Sequence, residues 1–146
     1  MLRPAALLLL SSLIAGCSPS PLSERIGEEA RTHSAVDLAA ITSFEWDTVF
    51  IFSPYSTSKV ICQTVGPLWA NCESAAPRQV AESEFHLVFT NRGSFVAQVV
   101  HSRTNGEFCQ STCALRIAKP NSLFKVVPYS HRESESHFLL VSQPAP

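Results

Sequence analysis

Apolar positions change their period along this chain, and each change marks an element. The first run, Ala5 to Leu10 and on through Leu13 and Ile14, follows Arg3 and gives way to Ala15, Gly16 and Cys17. It is shorter than the roughly 20 apolar residues of a membrane span and has the order of charge, apolar stretch and small residues of an export signal. Ser18 to His33 is polar and holds Pro19 and Pro21, as a tether would. Within it Leu22, Ile26 and Ala30 recur at spacing four among Glu24, Arg25, Glu28, Glu29 and Arg31. That spacing predicts a short amphipathic helix, with Ser20 as cap and Pro21 in the first position.

From Val36 the pattern becomes that of strands. Val36 to Ala40 predicts a short first strand, and Trp46 to Ser53 a longer one. In the latter, Trp46, Phe50 and Phe52 alternate with Val49 and Ile51, so both faces are apolar, as in a strand covered on two sides. Pro54 ends it. A helix is expected from about Ser56 to Val65, with Val60, Ile61 and Val65 inward and Gly66-Pro67 as the stop. Phe85 to Thr90 and Ser94 to His101 flank Asn91-Arg92-Gly93, a hairpin signal. Leu123 to Val127 and Phe138 to Ser142 form a second pair across the polar stretch Tyr129 to Glu135, and a short strand is expected at Ala114 to Ile117. The sum is an α+β fold, an antiparallel meander of about five strands with one or two helices packed on one face. Residues 1–16 read as a signal peptide, 17–35 as tether and short helix, and 36–146 as a single domain.

Composition narrows the partners. Without Arg3, ten basic residues stand against twelve acidic ones, and no basic run or stripe exists. Nucleic acid is therefore not an expected partner. The cysteine count is odd, at five. If Cys17 is set aside, Cys62, Cys72, Cys109 and Cys113 remain, and an exported chain would pair them. Three connectivities exist. Cys62–Cys72 with Cys109–Cys113 is the expected one, because each bridge closes locally. A redox role for Cys109 and Cys113 is disfavoured, since three residues separate them where thioredoxin-like motifs have two.

The order Ile14-Ala15-Gly16-Cys17 resembles the lipobox of bacterial lipoproteins. The resemblance implies acylation of the Cys17 sulfur, cleavage before it and a membrane partner held through lipid. Two or three acyl chains anchor almost permanently where one binds reversibly. Ser18 stands where an aspartate would resemble the inner-membrane retention signal of enteric bacteria, so in a Gram-negative cell the expectation is the outer membrane, facing the periplasm. A second segment, Phe44-Glu45-Trp46-Asp47 through Phe52-Ser53-Pro54-Tyr55, resembles a strand motif of small bacterial secreted and lipoproteins. In that motif a Trp-Asp pair opens an apolar strand that closes on Pro-Tyr. A glycine often precedes the Pro-Tyr, where this chain has Ser53. The resemblance implies no activity.

Chemistry-bearing patterns are few. Only two aspartates occur, Asp37 and Asp47, and neither a Gly-x-Ser-x-Gly elbow nor a phosphate-cradling glycine loop is present. No catalytic residue and no cofactor is expected. Trp46, Asp47 and Tyr55 are candidates for a ligand pocket at a strand end, or for a structural corner, each aromatic offering an apolar body and one polar atom. His131, Glu133, Glu135 and His137 share one face of an extended segment, so His131 and His137 are the candidate metal ligands against a solvated turn. His86 and His101 fall on facing strands, where a hydrogen-bonded sheet histidine is the expectation. The functional expectation is a membrane-anchored, periplasm-facing lipoprotein, a non-enzymatic binding or structural component of the envelope whose partner is an envelope protein or small ligand. The alternative is an enzyme or metal-binding protein.

Overall fold

The computed structural model describes residues 20–132 and 135–143, the backbone alone at 130–132 and 135–137. Cys17 and residues 1–16, expected to be a signal peptide, lie outside the described residues. The class is α+β, and the strands divide between two antiparallel sheets instead of running as one meander.

The first helix, α1 (Pro21–Thr32), starts where the sequence says it should. Ser20 Oγ accepts from the Ser23 amide at 3.2 Å, and Pro21 takes the first position. Its stripe of Leu22, Ile26 and Ala30 is buried in the main core. The helix is therefore packed into the domain. The extended segment expected from Val36 is shorter, β1 (Ala35–Asp37), because Asp37 caps a one-turn helix α2 (Leu38–Ile41). The Asp37 carboxylate accepts from the Ala39 amide at 2.9 Å and from the Ser122 hydroxyl at 3.3 Å.

The central strand β2 (Thr48–Phe52) pairs with β3 (Glu84–Asn91) on one side and β5 (Ala114–Ala118) on the other. The second hairpin strand, β4 (Ser94–Ser102), completes a sheet in the order β4-β3-β2-β5. Arg92 and Gly93 both have positive φ, 49° and 76°, which makes the hairpin loop a type I′ turn. Both faces of this sheet are covered. Val49, Ile51, Phe85, Leu87 and Phe89 face the main core, while Phe50, Phe52 and Val88 face a second cluster.

That second face is covered by α3 (Ser58–Val65), capped by Thr57, and by the short α4 (Cys72–Ala75). The disulfide Cys62–Cys72 joins the two helices, and Trp69 stacks on Phe95 at 4.6 Å. Ile61 and Val65 point inward as expected. Val60 does not: it is 43 % exposed, since a short helix lying on a flat sheet buries only a narrow stripe.

A long hairpin of β6 (Leu123–Arg132) and β7 (Glu135–Ser142) joins β1 in the second sheet, ordered β1-β6-β7. Its strands run further than the apolar residues do, through the stretch that reads as a polar turn. Phe124, Val126 and Leu140 pack against Phe85, Phe108 and α1 between the two sheets. Residue 107 links the layers. The Glu107 amide donates to the Phe138 carbonyl at 2.8 Å, and the Leu140 amide donates to the Glu107 carbonyl at 2.7 Å. This contact occupies the outer edge of β7.

One buried polar knot docks α1 onto the larger sheet. Ser23 Oγ donates to His101 Nδ1 at 3.1 Å and accepts from the Ser102 amide and Asn105 Nδ2 at 3.0 and 3.1 Å. His101 Nε2 in turn donates to the Gly106 carbonyl at 2.8 Å. These four bonds complete the hydroxyl and fix the imidazole as its neutral Nε2–H tautomer. Gly27 makes the approach possible, because a Cβ there would overlap the Asn105 side chain.

Candidate functional site

The Trp-Asp and Pro-Tyr ends of the segment around β2 have different roles. At the first end, Trp46 precedes the strand and is 2 % exposed. Its indole donates to Thr42 Oγ1 at 2.8 Å and meets Phe89 edge-on at 5.3 Å. Strand alternation places Trp46 with Phe50 and Phe52, but the chain is not yet extended there, and Trp46 packs with Val49 and Ile51 in the main core. Asp47 ties three segments together. Its amide donates to the Thr90 carbonyl, its carbonyl accepts from the Lys119 amide, and its carboxylate accepts from the Arg92 amide at 2.6 Å. This end is a structural corner.

Tyr55 stands at the far end, about 17 Å of strand away. The structure therefore does not assemble Trp46, Asp47 and Tyr55 into one pocket. The Trp-Asp pair and the Pro-Tyr pair flank an extended strand, which keeps its two ends apart.

What surrounds Tyr55 is a site of its own. Ser53-Pro54-Tyr55-Ser56 forms a turn closed by the Ser56 amide donating to the Ser53 carbonyl at 3.3 Å. Proline second and a positive φ third is the type II pattern, which favours glycine in third place. Here that residue is Tyr55, at φ 68°. A bulky side chain in this region costs about 1–3 kcal/mol and persists only where its surroundings enforce it. They do so here. The Tyr55 amide donates to the Val80 carbonyl at 2.9 Å, Gln79 Nε2 donates to the Tyr55 carbonyl at 3.3 Å, and Ser53 is bonded twice to Cys113. The strained residue is nonetheless 58 % exposed, so core packing does not account for it.

Tyr55 and Pro54 edge a cleft of about 170 Å³. Phe85, almost fully buried, forms its floor, and the exposed Gln110, Ser111 and Thr112 of the Cys109–Cys113 ring form the opposite wall. Arg103 also lines it, with its guanidinium held from behind. Nε donates to Glu107 Oε1 at 2.9 Å, the same carboxylate lies 2.7 Å from the terminal nitrogen, and the Glu82 carbonyl accepts at 3.1 Å. Glu107 is buried, and Tyr129 donates to its other oxygen at 2.7 Å. Desolvation and then the Glu107 carboxylate raise the Tyr129 phenol above its ordinary value. Desolvation and then the neighbouring Glu82 carboxylate do the same for Tyr55. Both phenols are therefore hydroxyl donors at neutral pH.

Sequence reasoning singled out Tyr55, Cys109 and Cys113 but missed Phe85, Arg103, Glu107 and Tyr129 as neighbours of one site. Apart from the local pair of Arg103 and Glu107, no spacing signals them, because they come from three segments that only the layering of the two sheets brings together. Cys62–Cys72 and Cys109–Cys113 are the connectivity expected from local closure. His86 and His101 do not face each other. His86 lies opposite Val100 and His101 opposite Phe85, so the rings are on opposite faces of the sheet. His86 Nε2 is buried with no hydrogen-bond partner. The side chains of His131 and His137 lie outside the described residues. Among the described residues, no group of three or more His, Cys, Asp or Glu side chains is placed to hold a metal ion. No protein-family model, curated protein or solved structure matches this chain.

Proposed function

We propose that this chain is a lipid-anchored component of a bacterial cell envelope, a binding module and not an enzyme, whose binding site is the cleft edged by Tyr55. One observation carries the choice of site. Tyr55 is held in a strained backbone conformation by bonds on both sides, yet is 58 % exposed. Strain that does not serve the core is more readily explained by a contact made outside it.

The anchor rests on the lipobox-like Ile14-Ala15-Gly16-Cys17 and on cysteine arithmetic, for Cys62, Cys72, Cys109 and Cys113 are all bonded to one another and leave Cys17 as the fifth. In this reading the outer membrane, facing the periplasm, is the location in a Gram-negative cell. The partner is an envelope protein or small ligand.

Two experiments test the reading separately. Cys17→Ala should move the protein from the membrane fraction to the soluble fraction and abolish incorporation of labelled palmitate; unchanged retention and labelling would overturn the anchor. A photo-crosslinking residue placed at position 55 in living cells should give a reproducible adduct. Its absence would overturn the site.

A further inference from the structure

We infer that the Tyr55 cleft recognises a neutral, hydroxyl-rich ring, one sugar unit of an oligosaccharide, an inference that rests on the proposal that this cleft is the binding site. Three properties of the lining select that chemistry.

The first is size. About 170 Å³ lies below the roughly 300–1,000 Å³ of sites that enclose a drug-sized ligand, so the cleft takes one ring and leaves the rest of a longer molecule outside. The second is charge. Among the described residues, Arg103 is the only formally charged side chain in the lining, and its ion pair with Glu107 at 2.7 Å answers that charge within the protein. An anion therefore meets no uncompensated positive group, and Glu82 beside Tyr55 opposes it further. Among the described residues, a cation meets no carboxylate in the lining.

The third is the kind of hydrogen bonding on offer. The Ser53, Tyr55 and Ser56 amides are all occupied inside the fold, as is that of Cys113. An extended peptide that docks by adding a strand along the Tyr55 turn needs these groups free. The opposite wall offers the exposed Ser111 and Thr112 hydroxyls and the Gln110 amide, each able to donate and accept, and the Tyr55 phenol, hydrogen-bonded to Glu82, keeps its oxygen as an acceptor. Those groups suit a ligand whose hydroxyls also do both. The fixed Tyr55 ring, apolar on its face and polar at its tip, matches a sugar ring with C–H groups on its faces and hydroxyls around its rim.

The test uses the full chain solubilised in mild detergent. Chitotetraose and maltotetraose are the neutral probes and tetragalacturonic acid the charged one, each titrated by calorimetry at two salt concentrations. At least one neutral probe should bind with an affinity that salt leaves unchanged. Tyr55→Gly, which suits the positive φ and should fold, should weaken binding at least tenfold, and Tyr55→Trp should retain it. Tighter binding of the charged probe, or equal binding by Tyr55→Gly, would overturn the inference. If no oligosaccharide binds but the crosslinker at position 55 captures an envelope protein, the ligand class is wrong and the site stands. If neither occurs, both are wrong.

Discussion

Ser53 and Cys113, sixty residues apart, hold each other through two hydrogen bonds. The Ser53 amide donates to the Cys113 carbonyl at 3.1 Å, and the Cys113 amide donates to Ser53 Oγ at 3.0 Å. The pair continues the β2–β5 ladder past its last strand residue and fastens the Tyr55 turn to the Cys109–Cys113 ring. A serine before Pro-Tyr thus contributes a side-chain oxygen that glycine could not.

The two disulfides should therefore differ in effect. On the chain-entropy model, replacing Cys62 and Cys72 by serine should cost about 3 kcal/mol, and replacing Cys109 and Cys113 about 2 kcal/mol. Urea denaturation measures both. Only the second pair forms a wall of the cleft, so only its loss should also weaken crosslinking from position 55.

Tyr55→Gly should leave stability unchanged or raise it by up to about 1 kcal/mol. Glycine relieves the positive-φ strain but adds freedom to the unfolded chain, and the first effect is the larger for an aromatic residue. Thermal unfolding tests this directly. A loss of 2 kcal/mol or more would make Tyr55 a structural residue.

Asp47→Ala should have the opposite profile. It removes the carboxylate that accepts the Arg92 amide in the hairpin loop, a charge-assisted bond worth about 1–2 kcal/mol at this exposed position. Stability should fall by that amount, while binding at the Tyr55 cleft, at the other end of β2, should not change.

Burial lowers His86 and His101 to about 4, against hydrogen bonding to Gln98 and the Gly106 carbonyl that raises them. Both rings are neutral in either state above about pH 6.5. Between about 6.5 and 4 the unfolded chain takes up protons that the folded one refuses, so stability falls with pH, by up to about 1.4 kcal/mol per unit for each histidine. Below about 4 the folded state takes up the protons too, and this contribution levels off. His86→Leu should flatten roughly half of this histidine-dependent slope. At pH 7 it should change stability by less than about 1 kcal/mol, because it removes the buried, unpartnered Nε2 together with a bond to Gln98, whose exposed amide can turn to water.

Features set by near neighbours were readable from the sequence. Ser20 and Pro21 start α1, Arg92-Gly93 forms its turn, and each disulfide closes over a short loop. The two-sided character of β2 was also readable, since Val49 and Ile51 alternate with Phe50 and Phe52. What was not readable depends on distant partners. The split into two sheets follows from β1 pairing with β6, nearly ninety residues on, which no local pattern encodes. Trp46 turned to the other face because the Asp47 contacts hold the chain in a corner before the strand begins. Tyr55 was visible as a residue but its conformation was not, because the local preference at that turn position is for glycine. Tyr129 meets the local Arg103–Glu107 pair only across the layers.

The most direct test of the central claim is photo-crosslinking in living cells from position 55, compared with the same crosslinker at Val60, which is also exposed but lies on α3 away from the cleft lining. One reproducible adduct is expected from position 55, of saccharide or protein, and none of the same identity from position 60. Equal adducts from both positions, or none from position 55, would contradict a binding site at Tyr55.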